Sequence, residues 1–317
     1  MRYRREQRRL EEAGGPQTTA DIWQGTPPLA VNYPLASTEA NMNLIGPGPV
    51  VVFTPVHGAY TTAIKTCDAI AKLAPSPFIH LIGDDFSPKA DADSYARLTG
   101  WVANAQGNAG MRICYHCRDL GVEESPNLGL SLGHAWRFAR DLNAEALWVV
   151  ESDVIPRAGI IEGYRKAVAV ADGRVGAVSP LFTEVGGNEI TTFGGMLGSE
   201  APHVRKDLGL RDGQEIGTWD MAECKVTSVT WAHLASLWIT REALHSDAVM
   251  PDPELDLYYV DHDICRQLLR AGFEVVVSNQ CVAEHTRMDV SMRVRWPDNA
   301  ERLAVQEAAW QLFQKKG

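Results

Sequence analysis

From residue 50 onward, short apolar runs alternate with amphipathic stretches. "VVVFTP" (50–55), "FIHLIG" (78–83), "RICYHC" (112–117), "ALWVV" (146–150) and "VGAVS" (175–179) have the length and apolarity of buried strands. Between them the period changes. Ala63, Cys67, Ile70 and Ala74 fall on one helical face after "VHGAY", and Leu132, Ala135, Trp136 and Ala139 form the stripe of "LSLGHAWRFARDL". "AGIIEGYRKAVAVA" predicts a further helix, and a weaker one covers 88–98. Strands alternating with helices predict an α/β fold, a mostly parallel sheet flanked by helices on both faces.

The pattern is different at the two ends. Residues 1–45 are rich in Pro, Thr and Asn and read as an extended, flexible segment closed by "GPGP" at 46–49. A second boundary falls near 180. Beyond it, 183–217 is a Gly-rich excursion with room for one short strand. "KVTSVTWAHLASLWIT" (225–240) predicts two strands or one bent strand, and "REAL" opens a short helix. A helix over about 261–271, a strand, a strand end at "CVAEH" and a terminal amphipathic helix over about 298–314 complete the chain. This gives three regions, 1–45, 46–180 and 181–317, with a smaller mixed sheet expected in the last.

Composition narrows the partners. Thirty basic against forty acidic residues give a net charge of −10, which argues against general binding to nucleic acid or to anionic membranes. "MRYRREQRR" at the start is the basic exception, read as a solvated tail or a surface anchor. No apolar stretch reaches the length of a membrane span and no signal segment opens the chain, so a cytoplasmic setting is the expectation. "CYHC" (114–117) lacks a second cysteine pair at zinc-finger spacing, and the six cysteines read as reduced structural thiols.

In parallel sheets ligands bind beyond the carboxyl ends of the strands. Three polar strand endings fall there: "TPVHG", "GDDFS" and "ESD". In an extended chain Glu151 and Asp153, two apart, point the same way, and two converging carboxylates repel unless a cation sits between them. The alternative is a turn acid before the helix that follows Pro156. Asp84 and Asp85 are placed to accept hydrogen bonds from a ribose or a base, or are turn residues. Asp261 opens a helix, where an acid serves as a cap or as a general base; His262 is a rival base. His285 ends a strand and is a structural histidine or a metal ligand beside Asp153, and Arg287, Arg293 and Arg295 follow it.

The order of these segments resembles that of the family-2 glycosyltransferases of the GT-A fold. The matching segments are "VVVFTPVHGAY", "IGDDFS", "PNLGLSLGHAWRFAR", "WVVESDVIP", "HLASLWITREAL" and "VDHDICRQLLRAGFEVVVSNQCVAEH", spread over roughly 50–300. The resemblance implies a Rossmann-like nucleotide-sugar-binding part at 46–180 and an acceptor-binding part with the catalytic base at 181–317. It implies that Thr54, Pro55 and His57 line the nucleotide pocket and that Asp84 or Asp85 holds the base or ribose. Asn127 and Ser152 join them on the donor side. Asp153 and His285 become ligands of Mn²⁺ or Mg²⁺, with Glu151 at the donor or metal, and Asp261 becomes the base.

Three positions depart from the family pattern. Glu151 replaces the first Asp of the metal motif, Val260 stands where an acid precedes the base, and Gln267 stands where an Arg is expected. "MRVRW" matches only half of the processive Gln-x-x-Arg-Trp motif. The function implied is transfer of one sugar from a nucleotide-sugar to a hydroxyl acceptor (a glycan, a lipid-linked sugar, a protein or a modified base), with metal and with inversion. The alternatives are a nucleotidyltransferase making an activated sugar and a non-catalytic nucleotide-sugar-binding protein of the same fold.

Overall fold

A computed structural model describes residues 48–58, 60–73, 78–85, 110–116, 127–192, 195–196, 199–200, 223–286 and 298–316. The expected tail at 1–45, the helix at 88–98, Cys117 and the arginines at 287, 293 and 295 lie outside these residues.

Strands β1 (Val50–Val56), β2 (Phe78–Asp84), β3 (Gly110–His116) and β4 (Ala146–Val150) run parallel in the order β4-β1-β2-β3. The helices that return the chain between them include α1 (Tyr60–Leu73) and α2 (Leu128–Asp141). After the short β5 (Val154–Pro156) and α3 (Ile160–Val170), β6 (Val175–Thr183) continues the same sheet. β7 (Ile190–Thr192) pairs with β6, and β8 (Gly195–Met196) pairs with β9 (Ser199–Glu200), so the Gly-rich excursion holds more strand than the single one expected. β10 (Val226–Val229) and β11 (Ser236–Thr240) resolve the 225–240 stretch into two strands. α4 (Arg241–Leu244), α5 (Val260–Arg270), β12 (Glu274–His285) and α6 (Asn299–Lys315) follow.

The full path is β10-β12-β6-β11-β4-β1-β2-β3. The sheet is therefore continuous across residue 180. The strands of the acceptor side join the parallel half in this sheet, because β11 pairs antiparallel with both β4 and β6.

Alternation along β4 explains the two core layers. Leu147 and Val149 enter one cluster with Leu132, Trp136 and Ile239, while Ala146, Trp148 and Val150 enter the other with Tyr164 and Trp238. All five residues of β4 are buried, as expected for a strand covered on both faces. Trp148 Nε1 donates to Ser236 Oγ (3.0 Å), and the Tyr164 hydroxyl lies 2.9 Å from the same oxygen, so the polar tips of two buried aromatics are satisfied. The predicted stripe of α2, Leu132, Ala135, Trp136 and Ala139, is almost wholly buried. Cys67, Cys265 and Cys281 are free buried thiols, and Cys224 is a free, half-buried one. Among the described residues no helix is long and apolar enough to cross a membrane.

Candidate active site

β4 ends at Val150, and the next residues form a turn. Glu151 N–H donates to Ala235 O (2.9 Å), extending the pairing with the chain before β11, and Val154 N–H then closes back onto Glu151 O (3.1 Å). The two acids therefore converge through a turn; strand alternation, which the sequence suggested, is not the cause. Ser152 between them is buried, and its carbonyl accepts from Thr66 Oγ1 of α1 (3.0 Å).

The partner across the turn arrives from far along the chain. β12 is one 12-residue strand whose register with β6 shifts between Val277 and Val282; the sequence showed it as a strand and a separate strand end. Past that irregularity it pairs antiparallel with β5, His285 against Val154, and Thr286 N–H donates to Asp153 O (3.0 Å). His285 Nε2 consequently lies 3.4 Å from Asp153 Oδ2. Glu151, Asp153 and His285 each offer a ligand atom, all within 4.8 Å of one another. Two carboxylates and an imidazole suit Mn²⁺ or Mg²⁺ better than a thiol-seeking ion. Burial, then Asp153 and then Asp261 raise the Glu151 carboxyl to about 7, with His285 opposing them.

These groups open onto a cavity of about 390 Å³ at the carboxyl ends of β1, β2 and β4. Pro55, His57 and Asp85 form its wall on the parallel side, with Glu151, Ser152 and Asp153 beside them. His57 Nδ1 lies 2.7 Å from Asp85 O, and Asp85 Oδ1 accepts from Asn127 N–H (2.8 Å). Asp261 and His262 face in from the start of α5, His233 from the chain before β11, and Gln306 from α6.

Thr54, Asp84 and Asn127 are not on the cavity wall. Thr54 Oγ1 lies 2.9 Å from His80 Nε2 within the sheet layer, and Asp84 Oδ1 accepts from the Tyr60 hydroxyl (3.2 Å). Asn127 caps α2: its Oδ1 accepts from Leu130 N–H and its Nδ2 donates to Pro253 O, each at 2.8 Å. Of the two aspartates the sequence left open, Asp85 is the one at the cavity.

Asp261 Oδ1 lies 2.8 Å from both the backbone N and Nδ1 of His262. Burial alone would raise the Asp261 carboxyl; the His262 hydrogen bond and the nearby His262 and His233 rings outweigh it and hold it below its ordinary value. Val260 is buried in the core with Ile264 and Leu268, which accounts for an apolar residue before Asp261. Gln267, in place of an arginine, ties α5 to the preceding loop: Met250 N–H donates to its Oε1 (2.8 Å) and its Nε2 donates to Met250 O (2.9 Å). Asp263 is buried and paired with Arg266 and Gln267. His233, Tyr259 and Gln306 escaped sequence reasoning. His233 sits two residues from Trp231 in an irregular stretch, where no period marks a cavity-facing position.

The fold is of the GT-A type. It is similar to GalNAc-T7 solved with UDP, GalNAc and Mn²⁺: TM-score 0.52, 14% identity, covering 76% of this chain and 44% of that one. Other similar structures are S. aureus TarS 1-349 (TM-score 0.48, 10% identity, 81% and 69% covered) and glucosyl-3-phosphoglycerate synthase from Mycobacterium tuberculosis with Mn²⁺, uridine-diphosphate and phosphoglyceric acid (0.46, 14%, 82% and 74%). The chain thus spans less than half of the GalNAc-T7 chain it matches. No protein-family model matches it, and no curated protein matches it by sequence.

Proposed function

We propose that this chain transfers a single sugar from a nucleotide-sugar donor to a hydroxyl acceptor, with inversion at the anomeric carbon. The observation that carries the reading is the convergence of Glu151, Asp153 and His285 on a cavity that Asp261 also lines. A donor diphosphate needs positive charge beside it, and an acceptor hydroxyl needs a base; residues suited to both needs line the one cavity, which supports the reading.

Asp153 and His285 are assigned as ligands of Mn²⁺ or Mg²⁺, with Glu151 at the donor or metal. A cation held there supplies Lewis-acid neutralisation of the leaving diphosphate. Pro55, His57 and Asp85 hold the nucleoside, while Thr54, Asp84 and Asn127 brace that wall from behind. In transfer, the acceptor oxygen bonds to the anomeric carbon and the bond from that carbon to the diphosphate oxygen breaks. The electron pair leaves on the nucleoside diphosphate, and the hydroxyl proton is drawn off on the Asp261 side. Burial first and the neighbouring Asp153 next raise the Glu151 carboxyl to about 7, so a cation beside it would favour its charged form. GalNAc-T7 was solved with UDP and Mn²⁺, which supports this choice of ligands.

The test is release of nucleoside diphosphate from a panel of UDP- and GDP-sugars with Mn²⁺, in water and with acceptors spanning glycans, lipid-linked sugars, peptides and modified bases. Metal-dependent release supports transfer. Release of pyrophosphate identifies a nucleotidyltransferase, and nucleotide binding without turnover identifies a binding protein of the same fold.

A further inference from the structure

We infer that Nε2 of His262 receives the acceptor proton and that Asp261 acts on it as a positioning residue, the two forming a carboxylate–imidazole pair. The inference rests on the sugar-transfer reading and deepens it.

The pair is built by the start of α5. Oδ1 of Asp261 is committed twice, at 2.8 Å each, to the backbone N and to Nδ1 of the next residue. An ionised carboxylate has no proton to give, so Nδ1 must donate. In a neutral ring that leaves the lone pair on Nε2, the arrangement a general base requires. The ring is also fixed in direction. It lies flat on Trp231 (centroids 4.8 Å, interplanar 13°) and meets Tyr259 (5.4 Å, 71°) and Phe313 (6.2 Å, 79°) edge to face. Those three partners come from the chain before β11, the residue preceding α5 and α6, so the ring is held from three directions. It stays about one-fifth exposed, on the wall of the cavity that holds Glu151, Asp153 and His285.

The same surroundings suit the protonated product. The Trp231 face attracts a cation stacked on it, and the Asp261 carboxylate balances the charge. Other charged or titratable groups nearby include Glu151 on the same cavity, His233, edge-on to Trp231 (5.4 Å, 65°), and Arg266, whose guanidinium covers the Phe313 ring at 3.9 Å. In the step, the acceptor O–H bond breaks, its electrons stay on the oxygen that bonds to the anomeric carbon, and the proton ends on Nε2. The bond to the diphosphate breaks with its electron pair on the nucleoside diphosphate. The proton returns to solvent when product leaves.

Two measurements test this. Nitrogen NMR of histidine-labelled protein without ligands reads the tautomer directly: we expect His262 protonated at Nδ1, with the Nε2–H form gaining in Asp261→Asn. A wild-type His262 protonated at Nε2 alone overturns the pair and requires no turnover. The second is metal-dependent release of nucleoside diphosphate from the UDP- and GDP-sugar panel by His262→Asn, whose amide still reaches Asp261. We expect roughly a 100-fold loss or more with UDP and Mn²⁺ binding within about threefold of wild type. A rate above a third of wild type overturns the assignment of the proton to His262 and leaves sugar transfer standing. No turnover of any donor by wild type overturns sugar transfer and the proton step with it. If His262→Asn melts far below wild type, the tautomer of the wild-type protein decides.

Discussion

His285 Nε2 lies 3.4 Å from Asp153 Oδ2, and the backbone N–H of Thr286 is bonded to the Asp153 carbonyl. Side chain and main chain thus tie the end of β12 to the turn after β4. Each is about one-fifth exposed, open enough to take an ion from solution and enclosed enough to hold it.

Asp153→Asn removes one charged ligand from that set, and His285→Ala removes the nitrogen. Each should weaken Mn²⁺ binding by about 100-fold or more while leaving the fold intact, since both side chains sit at the rim. Calorimetric titration with Mn²⁺ checks this, and unchanged affinity in both variants removes the metal assignment.

Glu151 makes a prediction with a sign. Its carboxyl is raised from 4.5 to about 7 in the folded protein, by burial first and by Asp153 next. Between those values the folded protein holds a proton that the unfolded chain has released. The associated stability is fully present below 4.5 and is lost as pH rises through about 7, at a slope of at most about 1.4 kcal/mol per pH unit. Metal-free protein should therefore lose melting temperature between pH 5 and pH 8, and Glu151→Gln should flatten that loss. Mn²⁺ should stabilise wild type more at pH 8 than at pH 5.5. Melting curves with and without Mn²⁺ at the two pH values decide the matter.

Asp261→Asn should keep UDP and Mn²⁺ binding within a few-fold and reduce turnover of the donor by about 100-fold or more, because the lesion falls on proton removal and not on donor binding. Parallel binding and nucleoside-diphosphate release assays separate the two. Loss of binding equal to the loss of turnover would place Asp261 in the donor pocket instead.

The parts of this site differ in how far the sequence exposes them. β4 can be read residue for residue because a strand buried on both faces is an unbroken apolar run, and the Leu132–Ala139 stripe of α2 because a helix on a sheet buries one face only. The acids at 151 and 153 stand out because charge at the end of a buried run has few structural uses. That they meet through a turn, and that β12 carries His285 to them by slipping its register past Val277, depends on pairing between distant segments, which no local pattern encodes. Thr54 and Asp84 show the converse. Both sit in segments with the right motif, yet one is bonded to His80 and the other to Tyr60, because neighbouring residues at a strand end point to different sides and only one can face the ligand.

The pairing of Asn127 and Gly129 at the start of α2 has a structural origin that yields the last prediction. Leu128 N–H donates to Asp256 O (2.7 Å) and Asn127 Nδ2 donates to Pro253 O, so the first turn of α2 rests directly on the backbone of 252–256. Gly129 permits that contact: a Cβ there would stand 2.3 Å from the Asp252 carbonyl oxygen and 2.4 Å from that of Leu255. Backbone on both sides leaves no flexible end to move. The same loop leads into α5 and is gripped from the far side by Lys316, which pairs with Asp252 and Glu254. Gly129→Ala should therefore cost about 3 kcal/mol by overpacking, and Asn127→Ala about 1 kcal/mol by loss of the cap. Because that loop leads into the first turn of α5, which carries Asp261 and His262, Gly129→Ala should also slow donor turnover at temperatures where the variant is still folded, whereas Asn127→Ala should melt lower and turn over nearly as wild type. Denaturant unfolding read beside turnover at 15 °C tests both halves; equal stability of Gly129→Ala and wild type would show that the loop can yield, and that the glycine is not there to let helix and loop touch.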